Sequence, residues 1–264
     1  MSLPNTIKSP ADVIKPMDRL LAIMAQLRNP DGGCEWDLAQ DFESIARYTI
    51  EEAYEVADAI QSGDGDAIKD ELGDLLLQVV FHSQIAADKN IFAFDDVCAA
   101  ICDKMERRHP HIFGDTKTDD VKRQWEEIKA AERASKGERQ LLDGIALSLP
   151  ALMRAQKIQS RVARVGFDWP DIDGPRAKIL EELAEVDDAK NDEHRAEEIG
   201  DLLFAVVNYA RHLGVDSEAA LTAANAKFSR RFSTVEKLAN SPLDGLTLDQ
   251  LEHYWAQVKD SEKA

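Results

Sequence analysis

The sequence predicts an all-α protein built from tandem duplicated helical-bundle domains. Apolar residues recur at intervals of three and four along almost the whole chain of 264 residues. No alternating apolar run framed by turn residues predicts a strand. Four short motifs appear in the same order in the two halves, which indicates an internal duplication.

The periodicity predicts five helices in each half of the chain. The predicted ranges are 16–27, 43–61, 65–88, 95–108 and 119–134, followed by 150–164, 175–190, 194–213, 217–239 and 248–262. Asp95, Asp216 and Thr247 have the residue types and positions of N-caps, and Gly63 and Gly214 fall at predicted helix ends. The segment His109-Pro110-His111 is predicted to turn after its helix.

The repeated motifs have the forms EExxE, ExxD, KxxRR and WxxxK. Matched residues lie between 123 and 133 positions apart, and all four tryptophans of the chain fall in matched pairs. The segment between the copies is polar and lacks an apolar stripe, as linkers do. We therefore expect a first domain over 16–133, a linker over 134–148 and a second domain over 149–264.

Charge, apolar run length and cysteine content argue against some binding partners and cellular compartments. The chain carries 32 Lys and Arg against 50 Asp and Glu, a net charge of −18, and this argues against binding to polymeric nucleic acid. No apolar run approaches the ~20 residues that span a bilayer, and the first residues lack the apolar stretch of a signal peptide. Three cysteines give no sign of an oxidising compartment. We expect a cytoplasmic protein without membrane contact.

Carboxylates crowd two consecutive predicted helices of the second copy. Since each helical residue turns about 100°, Glu181, Glu182 and Glu185 share one arc of a helix. On the next helix Glu197, Glu198 and Asp201 repeat this arrangement. Carboxylates this close together destabilise a helix. One such motif alone is explained by a helix face exposed to solvent. The repetition on two helices and in both halves favours a metal site, and oxygen ligands suit Mg²⁺, with Mn²⁺ as a substitute.

Cations and tryptophans follow the carboxylates. Lys227 and Arg231 lie one helical turn apart with Arg230 beside them, and Trp255 and Lys259 share another helix face. Surface ion pairs and core packing explain these residues individually. Together with metal-bound carboxylates they form a consistent receptor for a nucleoside triphosphate, with the cations on phosphate oxygens and an aromatic ring on the base.

The ordered motifs, present twice, resemble the MazG family of nucleoside triphosphate pyrophosphohydrolases over roughly residues 17–262. The segments ERRHPHIFGD (106–115) and SLPALMRAQKIQ (148–159) are similar to its two-domain bacterial members. The resemblance implies an all-α pyrophosphatase fold, Mg²⁺-dependent cleavage of nucleoside triphosphates to monophosphate and pyrophosphate, and a homodimer. It further implies broad base specificity and a housekeeping or stress role in the nucleotide pool.

The resemblance also implies site residues, and it places the main activity in the second copy. The implied metal ligands are Glu182, Glu185, Glu198 and Asp201, with Glu181 and Glu197 supporting them or positioning water. The implied nucleotide-binding residues are Lys178, Lys227, Arg230, Arg231, Trp255 and Lys259, although Lys178 equally suits a salt bridge to Glu182. The first copy keeps a matching second set: Glu51, Glu52, Glu55, Glu71, Asp74, Lys104, Arg108, Trp125 and Lys129.

The expected chemistry is attack of water at the α-phosphorus. Metal ions would polarise the phosphoryl group and lower the pKa of a bound water, and no GxxxxGK[ST] loop or nucleophilic triad suggests another route. Two other functions stay open: a non-catalytic dimeric module that senses Mg–nucleotide, and a di-iron carboxylate bundle. The second is disfavoured because only Glu106 and His109 form an ExxH pair.

Two cysteines and two histidines also raise the question of a zinc site. Cys98 and Cys102 lie on an apolar helix face before His109 and His111, where we expect the cysteines to be buried as small apolar residues. Their spacing is unusual for structural zinc.

Overall fold

The computed structural model describes residues 15–114, 125, 128, 129, 131, 132, 140–239 and 242–262. Contacts within the chain define two compact units, Met1–Lys129 and Ala130–Ala264. Within the described ranges the regular structure is helical and contains no strand. The all-α class and its tandem arrangement are confirmed. The predicted linker over 134–148 is described only from residue 140 and stays a prediction.

Six helices of the first unit have described bounds, and we number them in chain order. They are α1 (Pro16–Leu27), α2 (Glu35–Ala39), α3 (Phe42–Ser62), α4 (Gly65–Asp88), α5 (Phe94–Arg108) and α6 (Pro110–Phe113). Helices α3 and α4 pack along each other, and α1 and α5 pack on α4. Gly63 ends α3 with a φ of 73°, a left-handed conformation that glycine adopts without strain.

The second unit repeats this plan with five described α-helices. They are α7 (Ala151–Ala163), α8 (Asp173–Asp188), α9 (Asp192–His212), α10 (Ser217–Ala239) and α11 (Leu248–Ser261), with a 3₁₀ turn at Leu243–Gly245. Helices α8 and α9 form an antiparallel hairpin across a three-residue connection. Helix α7 packs on α9, and α10 packs on α11.

Some helix boundaries differ from the predictions. Ala93, not Asp95, is the N-cap of α5, because the Asp96 carboxylate accepts a hydrogen bond from the Ala93 amide at 2.8 Å. The segment after α5 forms the one-turn helix α6 rather than a simple turn. Short α2 and the 3₁₀ turn were not predicted, since neither is long enough to show periodicity. Of the predicted helix 119–134, residues 125, 128, 129, 131 and 132 are helical and the others lie outside the described residues.

Some large apolar side chains are buried in a core, whereas others on both helical hairpins are exposed to solvent. Met24, Ile45, Val80, Phe81 and Ile85 form a buried core in the first unit. By contrast, large apolar side chains on both helical hairpins are exposed: Ile50, Tyr54, Leu72, Leu76 and Val79 on α3 and α4, and Leu180, Leu183, Ile199, Leu203 and Val206 on α8 and α9. The residues named on each helix are three or four positions apart and therefore share a face, and exposed apolar faces are typical of interaction sites.

None of the described helices combines the length and apolar character required to traverse a membrane.

Candidate functional site

Hairpin α8–α9 gathers three of the carboxylates singled out in the sequence. One oxygen from each of Glu182, Glu185 and Glu198 lies within 4.8 Å of the others. Glu182 and Glu185 are one turn apart on α8, and Glu198 faces them from α9. The Asn191 side chain caps α9 by accepting a hydrogen bond from the His194 amide at 2.8 Å, which fixes where α9 begins.

Glu182 is the buried member of this carboxylate cluster. Its residue exposure is 4%, and Lys178, one turn earlier, places its ammonium 2.5 Å from Glu182 Oε1. The same ammonium lies 2.8 Å from Glu181 Oε1, and these two hydrogen bonds raise the pKa of Lys178 above its ordinary value. Glu182 Oε2 is buried without a hydrogen-bond partner. A buried carboxylate oxygen in this state is energetically costly unless a cation or donor satisfies it.

The other two members are less buried. Glu198 Oε1 lies 2.9 Å from His194 Nε2, a contact between residues one turn apart on α9. A hydrogen bond with Glu182, with the charges of Glu182 and Glu198, raises the pKa of Glu185. The site therefore holds more negative charge than its own groups neutralise.

The remaining predicted carboxylates lie around this cluster. Asp201 is outside the group of three and lines a cavity with Glu182 and Lys178. Glu181 is exposed and is held by Lys178, and Glu197 is exposed on α9. The ion pair anticipated between Lys178 and Glu182 is present.

The first copy assembles the corresponding group. Oxygens of Glu52, Glu55 and Glu71 lie within 4.8 Å of one another across α3 and α4. Burial, a hydrogen bond with Glu55 and nearby carboxylates that include Asp74 raise the pKa of Glu52, and burial with the same neighbours raises the pKa of Glu71. Glu51 is exposed beside them.

Two partners of the second cluster have no equivalent in the first. By motif alignment, Tyr48 stands where the second copy has Lys178, and Ala67 stands where it has His194. The contribution of His194 was missed in the sequence, although its position four residues before Glu198 was a usable signal. The copies thus share their acidic residues but differ in the basic residues that contact them.

The predicted cation and tryptophan residues of the second copy form a separate group on α10 and α11. The Arg231 guanidinium donates to Glu262 Oε2 at 2.6 Å and lies 6.0 Å from the Trp255 ring centroid. Phe228 contacts the same indole, with ring centroids 5.1 Å apart. Lys227, Arg230 and Lys259 are exposed.

A similar arrangement exists in the first copy. The Arg108 guanidinium and Lys129 ammonium lie 5.4 and 5.2 Å from the Trp125 ring centroid. His109 meets the same indole edge-on at 4.8 Å, and Lys104 is half-buried on α5. The expectation that both cysteines of this helix are buried is wrong, because Cys102 is exposed and Cys98 is only half-buried.

A cavity of about 450 Å³ opens beside the second carboxylate cluster. Its wall includes Gln159, Asp168, Trp169 and Asn208, which the sequence gave no reason to single out as site residues. Trp169 is one of the matched tryptophans, but nothing in the motif pattern connects it with the other three. These residues come from α7, α9 and the loop before α8, and only folding brings them together.

The fold and the carboxylate clusters define a class: tandem all-α domains, each with an acidic site between two helices. The chain belongs to the MazG nucleotide pyrophosphohydrolase family, whose model matches residues 40–113 and 176–235. These ranges contain both carboxylate clusters and three of the four duplicated motifs, EExxE, ExxD and KxxRR.

Curated relatives align along nearly the full chain. A nucleoside triphosphate pyrophosphohydrolase of Escherichia coli K12 is 51% identical over 261 residues, covering 93% of this chain and 98% of that protein. The Thermotoga maritima nucleoside triphosphate pyrophosphohydrolase/pyrophosphatase MazG is 44% identical, with coverage of 93% and 96%. A Mycobacterium tuberculosis protein of the same description as the first is 33% identical, with coverage of 92% and 71%. The family resemblance and the enzyme class expected from the sequence are confirmed.

Because the pKa of Glu185 is raised, the free energy of unfolding of the metal-free protein is predicted to depend on pH. The folded protein binds the Glu185 proton more tightly than the unfolded chain, where the ordinary value is 4.5. The free energy of unfolding therefore falls as pH rises from that value through the raised pKa, and stays low above it. We expect Glu185→Gln to raise the melting temperature of metal-free protein at pH 7, with the difference vanishing below about pH 4.

Differential scanning calorimetry in the presence of a chelator measures this effect. Glu252→Gln, which changes an exposed glutamate of α11, serves as the control and is expected to leave the melting temperature almost unchanged. Equal melting of wild type and Glu185→Gln at pH 7 would contradict the prediction.

Proposed function

We propose that this chain hydrolyses nucleoside triphosphates to nucleoside monophosphate and pyrophosphate, with Mg²⁺ as cofactor and water as nucleophile at the α-phosphorus. The observation that carries the proposal is the group of Glu182, Glu185 and Glu198, with one buried oxygen unsatisfied. The family membership and the names of the relatives support the reaction.

The donor set fits Mg²⁺. All three clustered ligands supply carboxylate oxygens, the atoms that Mg²⁺ prefers, and a cation would satisfy the orphaned Glu182 Oε2. Glu182, Glu185, Glu198 and Asp201 would hold the cation, and Mn²⁺ is the expected substitute. When bound, Mg²⁺ polarises the α-phosphoryl group and lowers the pKa of a coordinated water.

Side chains next to the cluster are proposed to neutralise phosphate and to orient the attacking water. Lys178 already sits between Glu181 and Glu182, so its ammonium is placed to neutralise a phosphate oxygen once a cation takes over the carboxylate charge. Glu181 is exposed beside the cluster and is our candidate for orienting the attacking water. Glu197, exposed on α9 beside Glu198, is our candidate for supporting the metal ligands or positioning water.

The basic residues of α10 and α11 are proposed to bind the triphosphate. Lys227, Arg230 and Lys259 present exposed positive charge, and Arg231 is organised by Trp255 and Glu262. The similar group around Trp125 in the first copy supports a common role. Broad base specificity and a housekeeping or stress role in the nucleotide pool belong to the same proposal, supported by the family resemblance.

Isotope labelling tests the site of attack. With ATP, Mg²⁺ and H₂¹⁸O, we expect AMP to carry the label and pyrophosphate to be unlabelled, because water adds to the α-phosphorus. Mass spectrometry of the separated products provides the measurement. Labelled pyrophosphate, or ADP with labelled phosphate, would contradict α-attack, and binding of Mg–ATP without any product would instead indicate a sensing module.

The two copies are predicted to contribute unequally to turnover. Glu185→Ala removes a proposed cation ligand of the second copy, and we expect kcat to fall by about two orders of magnitude or more. The matched change Glu55→Ala is expected to cost much less, because the first cluster lacks the basic partners Lys178 and His194. Pyrophosphate-release kinetics measure both variants, with circular dichroism as the folding control.

The assignment of the working copy is reversed if Glu55→Ala abolishes turnover while Glu185→Ala retains it.

We propose that the protein is a homodimer. The exposed apolar residues of α8 and α9, such as Leu183, Leu203 and Val206, need a covering surface, and symmetric pairing supplies one. Light scattering is expected to give about twice the chain mass of 29.4 kDa. Val206→Lys is expected to shift this mass toward the monomer, whereas Glu236→Lys, on the exposed surface of α10, is not. A monomeric wild type at micromolar concentration would contradict the proposal.

A further inference from the structure

Glu262 lies among the basic residues of α10 and α11 that we propose to bind the triphosphate. Its Oε2 accepts hydrogen bonds from Arg231 Nε at 2.9 Å and from Arg231 Nη2 at 2.6 Å. These hydrogen bonds, together with the charges of Arg231, Arg230 and Lys227, lower the pKa of Glu262 below its ordinary value. Glu262 is therefore ionised at neutral pH, and the basic group already holds an anion that belongs to the chain itself.

The contact uses the part of Arg231 that suits a phosphate. Arginine binds carboxylates and phosphates through pairs of neighbouring N–H groups, and Nε and Nη2 form such a pair. In Arg231 both of these groups are directed at one oxygen of Glu262. A phosphate and Glu262 cannot occupy this edge of the guanidinium together, so a phosphate that binds there must displace the carboxylate.

Displacement of Glu262 is energetically accessible. The side chains of Arg231 and Glu262 are 22% and 35% exposed, and ion pairs in contact with water contribute little to stability. Arg231 also has a contact that does not depend on Glu262, because its guanidinium carbon lies 6.0 Å from the Trp255 ring centroid. The exposed ammonium of Lys259, on the same helix as Glu262, offers further positive charge to an incoming polyphosphate.

A glutamate stands at this position in both copies of the duplicated sequence. It follows the WxxxK motif by three residues in WEEIKAAE (125–132) and in WAQVKDSE (255–262). Since each helical residue turns about 100°, the tryptophan, the lysine and the glutamate lie within about 60° of one another on the helix. Glu132 is helical and half-buried, and Glu262 keeps helical backbone angles at the end of α11. Each tryptophan and lysine pair is thus accompanied by its own carboxylate.

We propose that Glu262 is an internal competitor of the substrate: the triphosphate displaces it from Arg231, and it returns to Arg231 as pyrophosphate leaves. Glu262 thereby weakens the binding of both polyphosphates and raises KM, although it does not touch the reacting atoms. The inference rests on the proposed function, since it concerns the basic group to which that function assigns the triphosphate.

Direct binding to the full chain tests the competition. Titration calorimetry measures the Kd of inorganic tripolyphosphate and of pyrophosphate, each with Mg²⁺. Glu262→Gln keeps the size of the side chain and removes its charge, and Glu262→Ala removes the acceptor as well. Both variants are expected to lower both Kd values about two- to fivefold, the range of one exposed ion pair. The KM for ATP is expected to fall by a similar factor, without a rise in kcat.

Two controls separate this contact from a general effect of charge. Glu236→Gln removes the same charge from an exposed position on α10 and is expected to leave both Kd values unchanged. In an Arg231→Gln background, Glu262→Gln is expected to have little effect, because the carboxylate no longer withholds a guanidinium from the ligand. Circular dichroism verifies that each variant is folded.

Several results would overturn the inference. An unchanged Kd in both Glu262 variants would mean that the phosphates do not compete with Glu262, and a higher Kd would mean that Glu262 holds Arg231 in place for the ligand. An equal gain from Glu236→Gln would reduce the effect to net charge, and absence of tripolyphosphate binding in every variant would remove the competition altogether. If the wild type forms no monophosphate and pyrophosphate from ATP, the proposed function fails, while the tripolyphosphate titrations still decide the role of Glu262.

Discussion

Crowding of like charge on one helical hairpin is the constraint on which the second domain depends. Glu182, Glu185 and Glu198 place their oxygens within 4.8 Å of one another, an arrangement that costs free energy in a metal-free protein. Two features keep it in place. Extensive packing of α8 on α9 fixes the backbones, and the Lys178 ammonium offsets part of the charge at the buried end. What remains is an acidic site whose unbalanced negative charge supports the proposed divalent cation.

The two copies show how a duplicated site can diverge without losing its acidic residues. Both hairpins hold three glutamates with carboxylate oxygens within 4.8 Å of one another. The second copy has Lys178 and His194, each one turn before a clustered glutamate, whereas the first has Tyr48 and Ala67 there. Basic side chains balance acidic charge and suit phosphate binding, so this difference is the physical reason behind the unequal roles that we propose for the two copies.

The sequence by itself determined the fold class, the duplication, most helices and the acidic residues of the site. Helix periodicity is a local property, and a motif such as EExxE places its carboxylates on one face without any tertiary contact. The same reasoning reached the Lys178–Glu182 pair, which lies within one helix. It failed at the start of α5, where Asp96 at N3 caps the Ala93 amide, so that the N-cap lies two residues before the predicted Asp95.

Only the tertiary structure decided which of these side chains meet and what surrounds them. It buried Glu182 while leaving Glu185 exposed, and it set the cation and tryptophan group of α10 and α11 apart as a cluster with its own partner, Glu262. It also created the cavity of Gln159 and Asn208 from helices that are distant in sequence. The physical reason is that burial and hydrogen-bond satisfaction depend on contacts between elements, whereas the sequence pattern reports the faces of single helices.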